Sequence, residues 1–95
     1  MNTLAAATES LWNLISQANA HFSALKGWET DSKVKDPETV KAMISGYNEK
    51  ILRDIGNAEE VSDLVRMLIR SGEFDQDTVD EARDALRSAR NLIGD

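Results

Sequence analysis

The sequence contains no cysteine, one proline and one histidine, and only 5% of its residues are aromatic. The absence of cysteine excludes disulfides, a thiolate nucleophile and cysteine-ligated zinc. A single histidine leaves little for metal binding or general base catalysis. No nucleophile elbow, phosphate loop or dinucleotide fingerprint occurs either. We therefore expect a protein that is not an enzyme, with no catalytic residues, no metal site and no cofactor.

Long hydrophobic runs are also missing. The longest uncharged stretch, Leu11 to Leu25, is interrupted by polar side chains and cannot serve as a membrane span. The segment Met1 to Leu14 has no basic region and carries Glu9, which is unlike a secretory signal or a transit peptide. We expect no membrane contact and a cytoplasmic location.

The composition is that of one small folded domain. The chain has 95 residues, of which 41% are hydrophobic and 29% are charged, enough for one core and too short for two. Its net charge of -6 disfavours a nonspecific role on nucleic acid or on anionic lipid. We therefore expect a single acidic domain over residues 1–95.

Apolar residues recur three and four positions apart along most of the chain, which predicts helices, and no segment alternates with period two as a strand does. Glycines at 27, 56, 72 and 94 follow the apolar stripes and are predicted to end the helices. The sequence thus predicts an all-α, four-helix assembly with a long first helix. The predicted helices span about 3–26, 37–55, 58–71 and 78–93, and residues 29–35 are predicted to form a loop.

Capping signals support the predicted starts of the second, third and fourth helices. Asp36 followed by Pro37 predicts the start of the second helix, because aspartate accepts from free amides and proline is tolerated in the first turn. Asn57 with Glu60 predicts the start of the third helix by the same logic, and Thr78 with Glu81 that of the fourth.

Charge is distributed unevenly. Glu9 is the only charged residue before Lys26. The side of the first helix away from its apolar seam carries Ala5, Trp12 and Asn19, spaced seven apart, so Trp12 lies among small side chains as interface anchors do. We predict a partner contact through these three residues, with a second copy of the chain favoured. The alternative is that this helix is central and wrapped by the other three.

Two further surfaces are candidates. Trp28 is a second predicted contact residue, although its place beside Gly27 also suits packing against Phe22. The acidic run containing Glu73, Asp75 and Asp77 is predicted to meet a basic partner, or else to favour the start of a helix through its dipole.

The last helix carries a basic stripe, which is the feature that nucleic-acid binding would depend on. Its arginines share one flank, but interleaved acids deny the uniform field that phosphate binding needs. The arginines are Arg83, Arg87 and Arg90, and the acids are Asp80, Glu81 and Asp84. Nucleic acid is therefore the least favoured partner.

These features favour a protein that binds other proteins. We expect an inhibitor or neutraliser of a basic target, of the bacterial immunity-protein or phage-encoded anti-defence type, that self-associates through its first helix into a homo-oligomer. The alternative is a structural or adaptor subunit of a phage particle or secretion assembly.

Overall fold

A computed structural model describes residues 2–30 and 36–94, and these residues form three helices with no strand. The helices are α1 (Thr3–Thr30), α2 (Pro37–Ser71) and α3 (Gln76–Ile93). The all-α prediction is confirmed, whereas the predicted count of four helices is wrong. None of the three helices combines the length and apolar character needed to cross a membrane, as far as the chain is described.

The first helix is longer than predicted. It begins where the Asn2 side chain accepts from the Ala5 amide at 2.7 Å, as an N-cap does. It continues through Gly27, predicted to end it, because Gly27 does not adopt the left-handed conformation of a C-cap. Trp28 therefore lies within the helix. Of the predicted loop, Glu29 and Thr30 belong to α1, and 31–35 lies outside the described residues.

The second helix starts as predicted but does not stop at Gly56. Asp36 Oδ2 accepts from the Thr39 amide at 3.2 Å, and Pro37 occupies the first turn. The predicted division into helices over 37–55 and 58–71 is wrong. The helix continues because the three-and-four spacing of its inward residues runs unbroken past Gly56. These residues are Ile51, Asp54, Ala58, Val61 and Val65. One glycine costs a helix only about 1 kcal/mol, less than breaking this seam.

The third helix begins two residues before the predicted start at 78. Asp75 is its N-cap residue, and the Thr78 hydroxyl donates to the Asp75 side chain. Gly72 and Gly94 have φ values of 72° and 89° and end α2 and α3, as predicted. These are positions where a left-handed backbone favours glycine.

The hydrophobic core lies where all three helices meet. Leu4 and Leu11 from α1 pack there with Ala58 and Val65 from α2. The third helix contributes small side chains that allow close approach, namely Ala82, Ala85 and Ala89. The first helix is not wrapped by the others, because its outer side chains, including Ser10, Asn13 and Gln17, are exposed.

Candidate functional site: the open side of the two-helix end

The third helix covers only part of the pair formed by α1 and α2. With 35 and 18 residues at 1.5 Å each, α2 is about 52 Å long and α3 about 27 Å. The end of α3 lies beside α1, where Asn91 and Leu92 share a groove with Trp12 and Ile15 that extends to Asn19 and Phe22. Beyond that point, α1 and α2 pack only against each other within the described residues. We call residues 16–30 and 37–54 the two-helix end, and the rest the three-helix end.

Helical periodicity shows which side of the two-helix end lacks a cover. Trp12 faces α3, and Asn19 lies two turns further on the same side of α1. On α2, Ser62 is buried on one flank while Leu64 on the other flank is exposed, so the Ser62 flank faces α3. Asn48 lies on that flank fourteen residues earlier. We call the surface that continues from the end of α3 along this side the open side. It begins at Asn19 and Phe22, which border the groove beside α3, and includes Ile44, Asn48 and Leu52 on α2.

The open side exposes large apolar side chains. Leu52 is 70% exposed and Phe22 is 41% exposed, and Ile44, in the same groove as Leu52, is half-buried. On α2, these residues border a groove that begins at Pro37 and Val40. Exposed apolar side chains that line a groove are typical of contact surfaces, whereas single scattered ones are not.

Charges at the rim of the open side balance. Lys26 and Glu29 border a groove on α1, and Lys41 and Glu49 border a separate groove on α2. Among the described residues, these two positive and two negative side chains balance, whereas the whole chain has a net charge of -6.

Behind the open side, a polar pair joins the two helices. His21 Nδ1 lies 2.6 Å from Asp54 Oδ2, and Asp54 is only 6% exposed. Because an ionised carboxylate can only accept, the Nδ1–H of His21 donates. The Tyr47 ring lies 6.1 Å from the His21 ring, and Lys50 Nζ lies 5.0 Å from the Tyr47 centroid.

In this pair, the Asp54 carboxylate can hold the His21 ring in one orientation. A carboxylate on Nδ1 fixes the tautomer and orientation of an imidazole, as in many catalytic and metal sites. Catalysis would also need a nucleophile or metal beside the ring. Across 2–30 and 36–94, no three histidine, aspartate or glutamate side chains cluster closely enough to hold a metal ion.

Sequence reasoning missed this pair. The single histidine was predicted to offer little for chemistry, and no partner was predicted for it. The available signal was that Asp54 falls on the seam at the regular spacing, between Ile51 and Ala58. A carboxylate at such a position requires a partner from the facing helix.

The predicted contact residues of α1 are placed differently from the outer-face prediction. Trp12 is half-buried, packs against the core and borders the end of α3. Ala5 is half-buried and Asn19 is exposed on the open side. Trp28 is half-buried near the end of α1. A partner contact through any of these four residues remains a prediction.

The predicted acidic residues lie together at the turn between α2 and α3. Glu73, Asp75 and Asp77 are all exposed, and Asp75 and Asp77 also start α3. They belong to the three-helix end and are not brought near the open side. In the basic stripe of α3, Arg87 Nη1 lies 3.6 Å from Asp84 Oδ1 on the surface.

In comparisons with protein-family models, with curated proteins and with solved structures, no significant match to this chain was found.

Proposed function

We propose that this protein is a non-catalytic, cytoplasmic protein-binding module, and that the open side is its main binding surface. One observation carries the proposal: Leu52 is exposed on the side of the two-helix end that no helix of the described chain covers, and Phe22 is exposed where the end of α3 borders that side. A helix placed there by a partner would continue the line of α3.

The energetics favour such a partner. Covering a leucine side chain removes apolar surface from water and contributes about 1.5–3 kcal/mol when burial is complete. Laying an amphipathic helix into an apolar groove is a common mode of recognition. Leu52, with 70% of its surface exposed, has the most to gain from being covered.

Site-specific photocrosslinking tests this proposal. A benzophenone amino acid replaces Leu52 in one variant and Met67 in a matched control, and both are irradiated in the cells that make the protein. Met67 is a suitable control because it is 60% exposed but lies on the three-helix end. Cross-linked proteins are then identified by mass spectrometry.

We expect a defined adduct from position 52 that position 67 does not give, and we expect Phe22→Glu to abolish it. Equal adducts from both positions, or none from position 52, would contradict the proposal. An adduct between two copies of the chain would be a supporting result, as would an adduct with a different identified protein.

A second candidate function is neutralisation of a basic protein, as an immunity protein or a phage-encoded anti-defence protein would do. It is favoured by the exposure of Glu73, Asp75 and Asp77 on one turn. Reversing all three charges should slow association with the target, and the effect should shrink with added salt. An effect no larger than that of Glu38→Lys, at the opposite end of α2, would count against this surface.

A structural or adaptor subunit of a larger assembly is the alternative. It requires contacts that continue from copy to copy, rather than closing in a pair. Light scattering distinguishes the two: particles larger than a dimer favour the assembly role, and a closed dimer or monomer does not.

A further inference from the structure

We infer that the groove between α1 and the last turns of α3 binds an extended peptide segment of a partner protein, with apolar residues four positions apart. This inference deepens the proposed function and rests on it, because the groove lies where the open side begins. Leu52 borders a different groove, on α2, so the helix that covers Leu52 and this segment are separate parts of the partner.

Two helices form the walls of this groove. The side chains of α1 that line it recur three and four residues apart, so they share one side of the helix. They are Trp12, Ile15, Asn19 and Phe22. The opposite wall is the end of α3, with Ser88, Asn91 and Leu92. The groove holds about 500 Å³, which is within the usual range of binding sites.

Both walls carry hydrogen-bonding groups that the protein itself does not use. The side chains of Asn19, Ser88 and Asn91 make no hydrogen bond to any other residue within 2–30 and 36–94. A carboxamide presents an N–H donor and an oxygen acceptor side by side, and these match the C=O and N–H of a peptide backbone. A peptide in the groove therefore finds complementary groups on α1 and on α3.

The backbone conformation of the occupant decides whether these groups are used. A helix pairs its own N–H and C=O groups along its length, which leaves only its side chains for the two asparagines. An extended segment keeps free N–H and C=O groups on both of its edges, so it can bond to both walls at once. The two carboxamides therefore favour an extended segment in this groove.

The length of the α1 wall sets the spacing of the apolar residues in the segment. Trp12 and Phe22 are ten residues apart, which corresponds to about 15 Å along the helix. The first and fifth residues of an extended segment lie about 13 Å apart and point to the same side. Apolar side chains at these positions cover Trp12 at one end and Phe22, which is 41% exposed, at the other.

The third residue of the segment also points into the groove, between these two anchors. The described residues that line the groove from Trp12 to Phe22 are uncharged on both walls. A charged side chain held there would lose hydration without gaining a partner of opposite charge, which is unfavourable. We therefore expect an uncharged third residue.

Selection from a displayed library of random heptapeptides tests the inference on the full chain. We expect the enriched peptides to share two apolar residues four positions apart, with an uncharged residue midway. No enrichment over a selection without protein would overturn the inference. So would enriched peptides that lack this spacing.

Variants of the full chain locate an enriched peptide after it has been synthesised. Asn19→Ala and Asn91→Ala should each weaken its binding at least about fivefold, because each removes hydrogen bonds to the peptide backbone. The matched control is Asn13→Ala, since Asn13 is also an exposed asparagine of α1 but borders a groove shared with α2. It should leave the Kd within about twofold. An unchanged Kd in both Asn19→Ala and Asn91→Ala, with helicity retained by circular dichroism, would overturn the inference.

Transferred nuclear Overhauser effects report the conformation of the bound peptide. An extended peptide should give strong contacts between each Hα and the amide hydrogen of the next residue. Strong contacts between successive amide hydrogens would show a bound helix and would overturn the inference.

Failure of this inference is distinguishable from failure of the proposed function. If position 52 gives its defined adduct and the library yields no peptide that depends on Asn19 and Asn91, only the extended segment is overturned. If position 52 gives no adduct either, both are overturned.

Discussion

The two ends of this molecule use the same α1–α2 seam and bury it differently. At the three-helix end, Leu4, Leu11 and Val65 are fully buried, and α3 closes the seam with alanines. At the two-helix end, Phe22 continues the same stripe yet is 41% exposed. The inner positions of the seam stay buried at this end too, as Ala18 and Ile51 show, so the third helix adds burial at the flank of the seam rather than creating it.

The polar content of the seam differs in the same way. The two-helix end carries Asp54 with His21 and Tyr47, whereas the buried polar side chains of the three-helix end, Thr8 and Ser62, are small and uncharged. A polar pair in a helix seam favours one register over others, at some cost in stability. The two-helix end is therefore specified by a hydrogen bond as much as by packing.

The largest expected contrast comes from shortening a leucine at each end. Leu11→Ala should lower the free energy of unfolding by about 2–5 kcal/mol, because it leaves a cavity in the core. Leu52→Ala should change it by less than about 0.5 kcal/mol in the monomer, because the side chain is mostly exposed. Urea unfolding of both variants measures the difference, and equal losses would remove the distinction between the ends.

Breaking the polar pair should have the next largest effect. His21→Leu leaves the buried Asp54 carboxylate without this partner and should cost about 3 kcal/mol. The double variant His21→Leu with Asp54→Leu should regain most of that loss, since two apolar side chains then fill the site. Additive losses in urea unfolding would mean that the 2.6 Å contact does not couple the two residues.

Overpacking should affect the three-helix end alone. Ala85 is fully buried between the helices, so Ala85→Leu should cost about 1–3 kcal/mol through displaced neighbours. Ser45→Leu, at an exposed site on the open side, should have little effect on monomer stability. Thermal unfolding of the two variants compares them. A neutral Ala85→Leu would contradict close packing of α3.

The smallest effect tests the continuity of α2 between the ends. Gly56→Ala should raise stability by up to about 1 kcal/mol, because Gly56 is helical and nothing lies within 4 Å of an added Cβ. Gly72→Ala should lower it by about 1 kcal/mol, because Gly72 has a positive φ of 72°. If Gly56→Ala were destabilising to the same degree as Gly72→Ala, the helix would end at Gly56 as a cap.

Local signals predicted part of this fold. Asp36 with Pro37 correctly placed the start of α2, and the glycines at 72 and 94 correctly ended helices. The signals at Gly27 and at Asn57 with Glu60 were equally strong in the sequence. In the structure, however, no helix ends at Gly27 and none starts at Asn57. A cap is a short-range preference of about 1 kcal/mol, and a seam that continues on both sides of it outweighs that preference.

The candidate site was less predictable. The uncharged character of α1 pointed to its surface, and Asn19 does lie on the open side. The position of Trp12 beside Leu92 depends on how far α3 reaches along α1, which no local pattern specifies. The pairing of His21 with Asp54 depends on the relative register of two helices, 33 residues apart in the chain.

Amide hydrogen exchange in dilute protein tests the central claim, that the two-helix end is left open by its own chain. We expect the α2 amides over 40–54 to exchange at least about tenfold faster than those over 58–68, without a break at residue 56. Equal protection of both segments in dilute protein would contradict the account, because it would mean that the open side is already covered.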